Sequence, residues 1–208
     1  PDAKTITELN QLQSFSDIAV IEKRFLPKTK RFELSGVALT NLNNPFFNNF
    51  GGSAKAAYYL TETYALELVG MGFAIAARGV TQDLRNPPAS ITTSNVVTAR
   101  TFFGGAFKWN PIYGKVSFLI RSIVPFDINF SLGGGMTQTD QERSEPTVHL
   151  GTSQIFAINK SFGVRWDLNW NFYQAQAKDL SGAIIKVFHN DLFIGIGVSV
   201  YFPEASYR

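Results

Sequence analysis

The chain has two histidines, His149 and His189, and both lie close in sequence to groups that could support catalysis. Asp191 follows His189 closely, and Ser153 follows His149. A histidine near a carboxylate and a hydroxyl could activate a nucleophile or hold a metal ion. However, no nucleophile motif surrounds Ser153, and the "GGG" at 133–135 lacks the Lys-Ser/Thr of a phosphate-binding loop. We therefore predict no catalytic residue, no metal site and no cofactor.

Other charged residues alternate with large apolar ones. In "SFGVRWDLNWNFYQ" (161–174), every even position from Phe162 to Phe172 is large and apolar, and the odd positions include Arg165 and Asp167. A period of two predicts a β-strand, because successive side chains of a strand point to opposite faces. One strand leaves two alternatives open. Its aromatic face covers the core of a soluble protein, or it faces lipid in an outer-membrane barrel.

Seven further segments follow this alternation more or less clearly, which predicts eight strands in all. They are 31–41, 52–60, 64–77, 97–109, 126–136, 147–158 and 191–202. Short connections alternate along the chain with longer ones that are rich in Asn, Ser, Thr, Gly and Pro. The longer ones are 42–51, 78–96, 138–146 and 175–187. Short turns at one end and long loops at the other are typical of outer-membrane barrels.

Two segments do not fit the strand pattern. Counting residues 110–125 as another strand gives nine and puts the C-terminus on the wrong side, so we predict a periplasmic crossover with a short helix at about 113–123. Near the N-terminus, apolar residues recur every three positions, which predicts a short amphipathic helix. We therefore divide the chain into an N-terminal periplasmic segment, 1–29, and a barrel, 30–208.

The composition favours a membrane barrel over a soluble domain. Charged residues make up 17% of the 208 residues and aromatic residues 14%, whereas about a quarter of a typical soluble domain is charged. The absence of cysteine means that the fold does without disulfides. The net charge of +3 comes from scattered basic residues without a recognised motif, so we predict no nucleic-acid binding. No apolar run is long enough for a membrane helix.

The space inside eight strands decides which face of the strands points into the barrel. The interior of such a barrel is too narrow for all the Trp and Phe side chains of the aromatic face. The opposite face carries many glycines and a nearly balanced set of acids and bases, which permits a packed ionic plug. We predict a lumen charge network of Glu33, Lys55, Glu67, Arg100, Lys108, Asp127, Arg165, Asp167 and Asp191.

The aromatic face then points to lipid. The predicted lipid-facing residues are Phe103, Phe107, Trp109, Phe126, Phe130, Phe162, Trp166, Trp170, Phe172, Val200 and Phe202. Trp109, Tyr201 and Phe202 lie near strand ends, which predicts an aromatic girdle at the periplasmic interface. The C-terminal "GIGVSVYF" (195–202) resembles the assembly signal of bacterial outer-membrane proteins, so we expect the outer-membrane assembly machinery to be a partner.

Four segments together resemble one protein family. They are "IEKRFLPKTKRFELS" (21–35), "NNPFFNNFGGSAKAAYYLTETYALEL" (43–68), "WNPIYGKVSF" (109–118) and "FDINFSLGGG" (126–135). They resemble the outer-membrane β-barrel domain family of myxobacteria and predatory relatives, which is similar in architecture to the small eight-stranded barrels of the outer-membrane-protein-A type. The resemblance covers roughly 18–202 and implies a Gram-negative cell-envelope protein without known catalytic residues.

The lipid side of the second and third predicted strands carries small residues. They are Ala54, Ala56, Gly70, Gly72, Ala74 and Ala76. Small residues let another backbone approach closely, which favours association of membrane segments. We therefore predict a homo-oligomer that packs through this side, with membrane lipid as a further partner. The alternative is that the small residues only accommodate strand twist.

The sequence thus predicts an all-β fold, an eight-stranded antiparallel transmembrane β-barrel with a short N-terminal helical segment and a periplasmic crossover helix. The predicted function is that of a structural protein of the bacterial outer membrane, with a plugged polar lumen. One alternative is a narrow porin-like channel for ions or solutes. Another is an outer-membrane lipid-modifying enzyme.

Overall fold

A closed antiparallel β-barrel forms the described part of the chain. The computed structural model describes residues 25–44, 46–77, 97–118, 122–141, 143–178 and 184–204. Its strands are β1 (Phe32–Asn41), β2 (Phe47–Tyr59), β3 (Tyr64–Ala77), β4 (Ala99–Phe118), β5 (Ser122–Thr139), β6 (Ser144–Ala157), β7 (Phe162–Lys178) and β8 (Ile184–Phe202). Each strand pairs with the next, and β8 pairs with β1. The predicted all-β fold of eight antiparallel strands is confirmed.

The strands are longer than the sequence pattern predicted. β7 continues to Lys178 and β8 begins at Ile184, so the connection between them shrinks to 179–183. The β5–β6 connection shrinks to 140–143 for the same reason. The β3–β4 connection remains long, and it opens at the same end of the barrel. The opposite end carries the short turns at 60–63 and 158–161, together with the described residues 25–31 and 203–204.

The predicted crossover helix at about 113–123 is wrong for the residues that the structure describes. Residues 113–118 continue β4, residues 122 and 123 begin β5, and Val116 pairs with Val124 across the hairpin. The sequence does show a strand period here, because Tyr113, Lys115 and Ser117 alternate with apolar or small residues. We did not assign a strand because a ninth strand would have put the C-terminus on the wrong side. A hairpin extends two existing strands, so the count stays at eight. Residues 119–121 lie outside the described part.

Beyond the barrel wall, β4 and β5 form a two-stranded ribbon at the end that carries the short turns at 60–63 and 158–161. β3 pairs with β4 no further than Trp109, and β6 pairs with β5 only from Phe126. A register irregularity between Trp109 and Ile112 marks the point where the ribbon leaves the wall. Bulges of this kind bend a strand and end its pairing.

The predicted N-terminal helix lies outside the described residues. The described residues that precede β1, 25–31, are not helical. It runs beneath the barrel, where Leu26 and Lys28 are fully buried. No helix in the described residues is long and apolar enough to cross a membrane.

The barrel is coated with apolar side chains and filled with polar ones. Ile196 is 70% exposed and Phe103 is 67% exposed, whereas Arg165 is 1% exposed and Asp167 is fully buried. This arrangement inverts that of a soluble barrel, because the polar groups avoid the outer surface. It is the arrangement that a lipid environment requires.

Glycines on the inner face permit the tight curvature of the wall. A Cβ added to Gly197 would collide with the carbonyl oxygen of Gly36 on the neighbouring strand, and one added to Gly135 would collide with that of Phe103. By contrast, nothing lies within 4 Å of a Cβ added to the outward-facing Gly72. Glycine is therefore required inside and optional outside at these positions.

Candidate functional site: an ion network across the lumen

Glu33 on β1 lies at the centre of the buried charges. Its Oε1 accepts hydrogen bonds from Arg165 Nη1 at 2.7 Å and Ser199 Oγ at 2.8 Å. Its Oε2 accepts from Tyr59 Oη at 2.7 Å and Lys108 Nζ at 2.8 Å. The carboxylate is 1% exposed. A buried carboxylate is tolerated when it is paired and hydrogen-bonded in this way.

Arg165 on β7 connects two buried acids, Asp167 and Glu33. Its Nε and Nη2 donate to the two carboxylate oxygens of Asp167 at 2.6 and 3.0 Å, which is a bidentate pair. Its Nη1 donates to Glu33, and also to Ser35 Oγ at 3.0 Å. Its Nη2 further donates to Ser153 Oγ at 2.9 Å. All three nitrogens of the guanidinium group are therefore engaged.

Two lysines extend the network across the barrel. Lys108 on β4 bridges Glu33 and Glu67, at 2.8 and 3.1 Å. Lys55 on β2 lies 2.8 Å from Asp167 on β7, although these strands are not neighbours in the wall. The contact therefore crosses the lumen. We refer to Glu33, Lys55, Glu67, Lys108, Arg165 and Asp167 as the central network, and its three acids balance its three bases.

A second buried ion pair closes the end that carries the short turns at 60–63 and 158–161. Lys28 Nζ lies 3.0 Å from Asp127 Oδ2 on β5, and both side chains are buried. The ammonium also lies over the rings of Tyr59 and Tyr201, 5.2 and 5.9 Å from their centroids. Lys28 was not among the predicted lumen residues, because it precedes the first strand and belongs to no alternating pattern.

Burial changes the protonation of Lys28. Desolvation lowers its pKa below 10.5, and the nearby carboxylates of Asp127 and Glu33 oppose this shift. The residue lies outside the membrane-spanning strands, in the segment that runs beneath them.

The segment around Lys28 is held against the barrel by hydrogen bonds of two side chains, Glu62 and Arg31. The carboxylate of Glu62, in the β2–β3 turn, accepts from the backbone N–H groups of Lys28 and Thr29 at 2.9–3.0 Å. The Arg31 guanidinium donates to the carbonyl oxygens of Pro27, Lys160, Tyr201 and Pro203. Residues 25–31 therefore form a cap over this mouth of the lumen.

The other half of the lumen holds an apolar layer. Its buried members are Val37, Leu39, Val69, Met71, Phe102 and Phe193, with Phe73 packed against them. Phe73 and Phe193 stack with their centroids 4.3 Å apart. His149 stacks on Phe102, and its Nδ1 lies 2.7 Å from Asn171 Oδ1. The layer lies above the central network, towards the end with the long connection.

The structure places eight of the nine predicted lumen residues inside the barrel. Six form the central network, Asp127 pairs with Lys28, and Asp191 lies apart from the other acids. Asp191 accepts hydrogen bonds from Tyr173 Oη at 2.8 Å and Asn41 Nδ2 at 3.2 Å. The predicted lumen position of Arg100 is wrong, because its side chain is exposed. A register shift between Ala99 and Thr101 turns it outward.

The predicted lipid-facing residues all lie on the outer face, exposed or partly buried by their neighbours. One member of the predicted girdle does not belong there. Tyr201 is 1% exposed and faces the lumen, because it is separated by one residue from the outward-facing Phe202. Phe32 stacks on Phe202 and packs against Tyr58 at this end, and Trp109 packs against Phe130.

The predicted small-residue surface also faces outward. Ala54 pairs with Gly70, and Ala76 with Asn48. A shallow groove of about 490 Å³ runs along part of this surface, with Gly36, Ala54 and Gly70 on its floor and Leu68 and Phe103 among its walls.

The two histidines of the sequence do not form a catalytic constellation. His149 is buried in the lumen, and His189 stacks on Tyr173 with centroids 5.6 Å apart. Ser153 Oγ donates to Asn129 Oδ1 and accepts from Arg165, so it belongs to the lumen wall. Among the described residues, no group of three or more His, Asp or Glu side chains is arranged to hold a metal ion.

The fold is similar to those of solved outer-membrane barrels. No protein-family model and no curated protein matches the chain. The outer membrane protein OprG from Pseudomonas aeruginosa is 11% identical, with a TM-score of 0.56 over 86% of this chain and 99% of that one. The N-terminal β-barrel domain of Pseudomonas aeruginosa OprF is also 11% identical, with a TM-score of 0.47 over 84% of this chain and 98% of that one. Neisserial surface protein A is 9% identical, with a TM-score of 0.42 over 83% and 96%.

The comparison with OprG agrees with the apolar outer surface and the polar lumen. Such low identity establishes the fold alone, and the surface chemistry supplies the membrane setting. The chain is an eight-stranded transmembrane β-barrel with the fold of bacterial outer-membrane proteins.

Proposed function

We propose that this protein is a structural, non-conducting barrel of the outer membrane that associates with copies of itself. The observation that carries the proposal is the central network, which crosses the lumen between Lys55 and Asp167. The apolar layer on one side of it and the Lys28–Asp127 pair on the other add two further barriers. A solute that passed through would have to separate these buried charges from their partners. The narrow lumen offers the separated charges no other partners.

Conductance in planar lipid bilayers tests the closed lumen. The purified barrel should insert without producing stable current steps. A narrow porin-like channel is the competing function, and it would produce steady single-channel steps of uniform size. Steps that persist in independent preparations and scale with salt concentration would overturn the non-conducting role.

Self-association is supported by the outward-facing small residues of β2 and β3. Backbones can approach closely where Ala54 and Gly70 face lipid, and this close packing is a main source of association energy in membranes. Native mass spectrometry in gentle detergent should show oligomers with retained lipid. Gly70→Trp and Gly72→Trp should shift them to monomer. Leu132→Trp, on the exposed aromatic side of the barrel, is the matched control. A lipid-free monomer that neither glycine variant changes would contradict self-association.

Two further parts of the proposal concern assembly and ancestry. The C-terminal strand, with Gly197 and the outward-facing Phe202, supports recognition by the outer-membrane assembly machinery. Phe202→Ala should then slow insertion in cells while leaving refolding into pure lipid unchanged. Membership of the myxobacterial barrel family stays a prediction from the segments quoted above. The proposed role requires no catalysis.

A further inference from the structure

A groove on the outside of β6, β7 and β8 has features that the proposed function does not use. We call it the outer-rim groove, and it has a volume of about 400 Å³. Its apolar lining includes Val148, Phe172 and Phe188, and its polar lining includes Gln176 and Lys186. It lies at the end of the barrel opposite the short turns at 60–63 and 158–161. In outer-membrane barrels the short turns face the periplasm, so this end faces the cell surface.

The groove changes from apolar to cationic along the strands. Lys186 lies two residues beyond Phe188 on β8, which is about 7 Å further from the barrel centre. Gln176 pairs with Lys186 across β7 and β8, and Arg143 Nη1 donates to Gln176 Oε1. Arg143 and Lys186 therefore stand together above the aromatic part. This order of groups matches a lipid whose chains lie deeper than its head group.

The rim around the groove carries exposed cations. Arg100, Arg143 and Lys186 are exposed, and none of them forms an ion pair with another described residue. Glu145 also lines the groove and opposes an anion there. Asp140, another described acid at this end of the barrel, accepts a hydrogen bond from the backbone N–H of Thr98. The two cations beside the groove thus present a positive surface at the level of the lipid head groups.

We propose that the outer-rim groove binds a phosphate-bearing lipid of the outer leaflet. An acyl chain packs on Val148, Phe172 and Phe188, and the phosphate lies between Lys186 and Arg143. Arginine binds phosphate with two parallel hydrogen bonds and lysine binds it as a point charge, so the pair suits this group. The site depends on the membrane location but on neither the closed lumen nor self-association, so its failure would leave the proposed function untouched.

Native mass spectrometry of the full chain with added lipid A tests the site. The probe is lipid A that carries two phosphates, and the comparison is the same lipid after removal of both phosphates. The wild type should retain the phosphorylated form preferentially. Lys186→Gln combined with Arg143→Gln should weaken retention about tenfold or more, since hydrogen bonds to charged groups are lost. Glu145→Gln should strengthen it.

The control is Arg100→Gln, which removes one positive charge from the same rim but outside the groove. Heat-modifiable migration on gels establishes that each variant is folded. Equal retention of the two lipid forms, or equal losses in Arg100→Gln and the double variant, would overturn the proposal. A dimer that disappears in Phe188→Gln, without any lipid adduct in the wild type, would also overturn it and assign the groove to a second copy of the chain.

Discussion

Removing Arg165 should destabilise the barrel more than removing any exposed cation. Its guanidinium group holds Asp167 through two bonds and Glu33 through one, and both acids are almost fully buried. In Arg165→Met the lumen keeps all its acids but loses one of the three bases of the central network. The variant therefore leaves uncompensated negative charge inside the barrel.

The magnitude follows from the partners that remain. Removing one member of a buried ion pair typically costs about 3–5 kcal/mol. Here Asp167 keeps Lys55 at 2.8 Å, and Glu33 keeps Lys108 at 2.8 Å. We therefore expect a loss near the lower end, about 3 kcal/mol in the free energy of unfolding. Arg165→Lys keeps the charge but loses the bidentate geometry, so its loss should be smaller.

Urea unfolding in lipid vesicles, followed by tryptophan fluorescence, measures these differences. The double variant Arg165→Met/Asp167→Asn should regain part of the loss, because it leaves two acids and two bases in the central network and so restores the charge balance. Arg100→Met is the control, and its effect should stay within about 0.5 kcal/mol because Arg100 is exposed. The reasoning fails if Arg165→Met is as stable as the control, or if Asp167→Asn adds its full cost to that variant.

Two further predictions concern the lumen wall and its cap. Gly197→Val should lower the free energy of unfolding by about 1–3 kcal/mol or prevent the barrel from closing, since the new side chain would meet Gly36 and Val37. Gly72→Val, on the outside, should do neither. Heat-modifiable gel migration distinguishes these results, and equal behaviour of the two variants would refute the steric argument. Burial lowers the pKa of Lys28 in the folded protein below 10.5. Between the lowered pKa and 10.5, the unfolded chain therefore binds more protons than the folded protein does. The stability of the wild type relative to Lys28→Met should rise with pH in this window. Paired urea titrations at several pH values measure the difference, and a difference that falls with pH would contradict the sign.

The sequence predicted the faces of the strands well, because a period of two leaves only two choices for each side chain. The central network could be identified in this way, since Glu33, Lys108 and Arg165 all lie in regular strands. Alternation fails where the register slips. The shift beside Arg100 turned that residue outward, and no residue type in "TART" (98–101) signals the irregularity.

Elements outside the alternating pattern were harder to predict. Lys28 precedes β1, so its insertion into the lumen depends on tertiary contacts with Asp127 and Glu62. The predicted lumen contained one more acid than bases, which was a signal that another cation was needed. The β4–β5 ribbon was not predicted, because the alternating pattern does not show where a strand leaves the membrane. Tyr113 and Lys115 alternate there as they would within the barrel.

Quenching of tryptophan fluorescence by brominated lipid tests the inverted barrel most directly. The chain has three tryptophans, Trp109, Trp166 and Trp170, and all of them face outward. In vesicles of lipids brominated along their acyl chains, we predict strong quenching relative to the unbrominated lipid and little quenching by aqueous iodide. Unchanged fluorescence in brominated lipid, together with quenching by iodide or by neither reagent, would contradict a barrel that presents its aromatic face to the membrane.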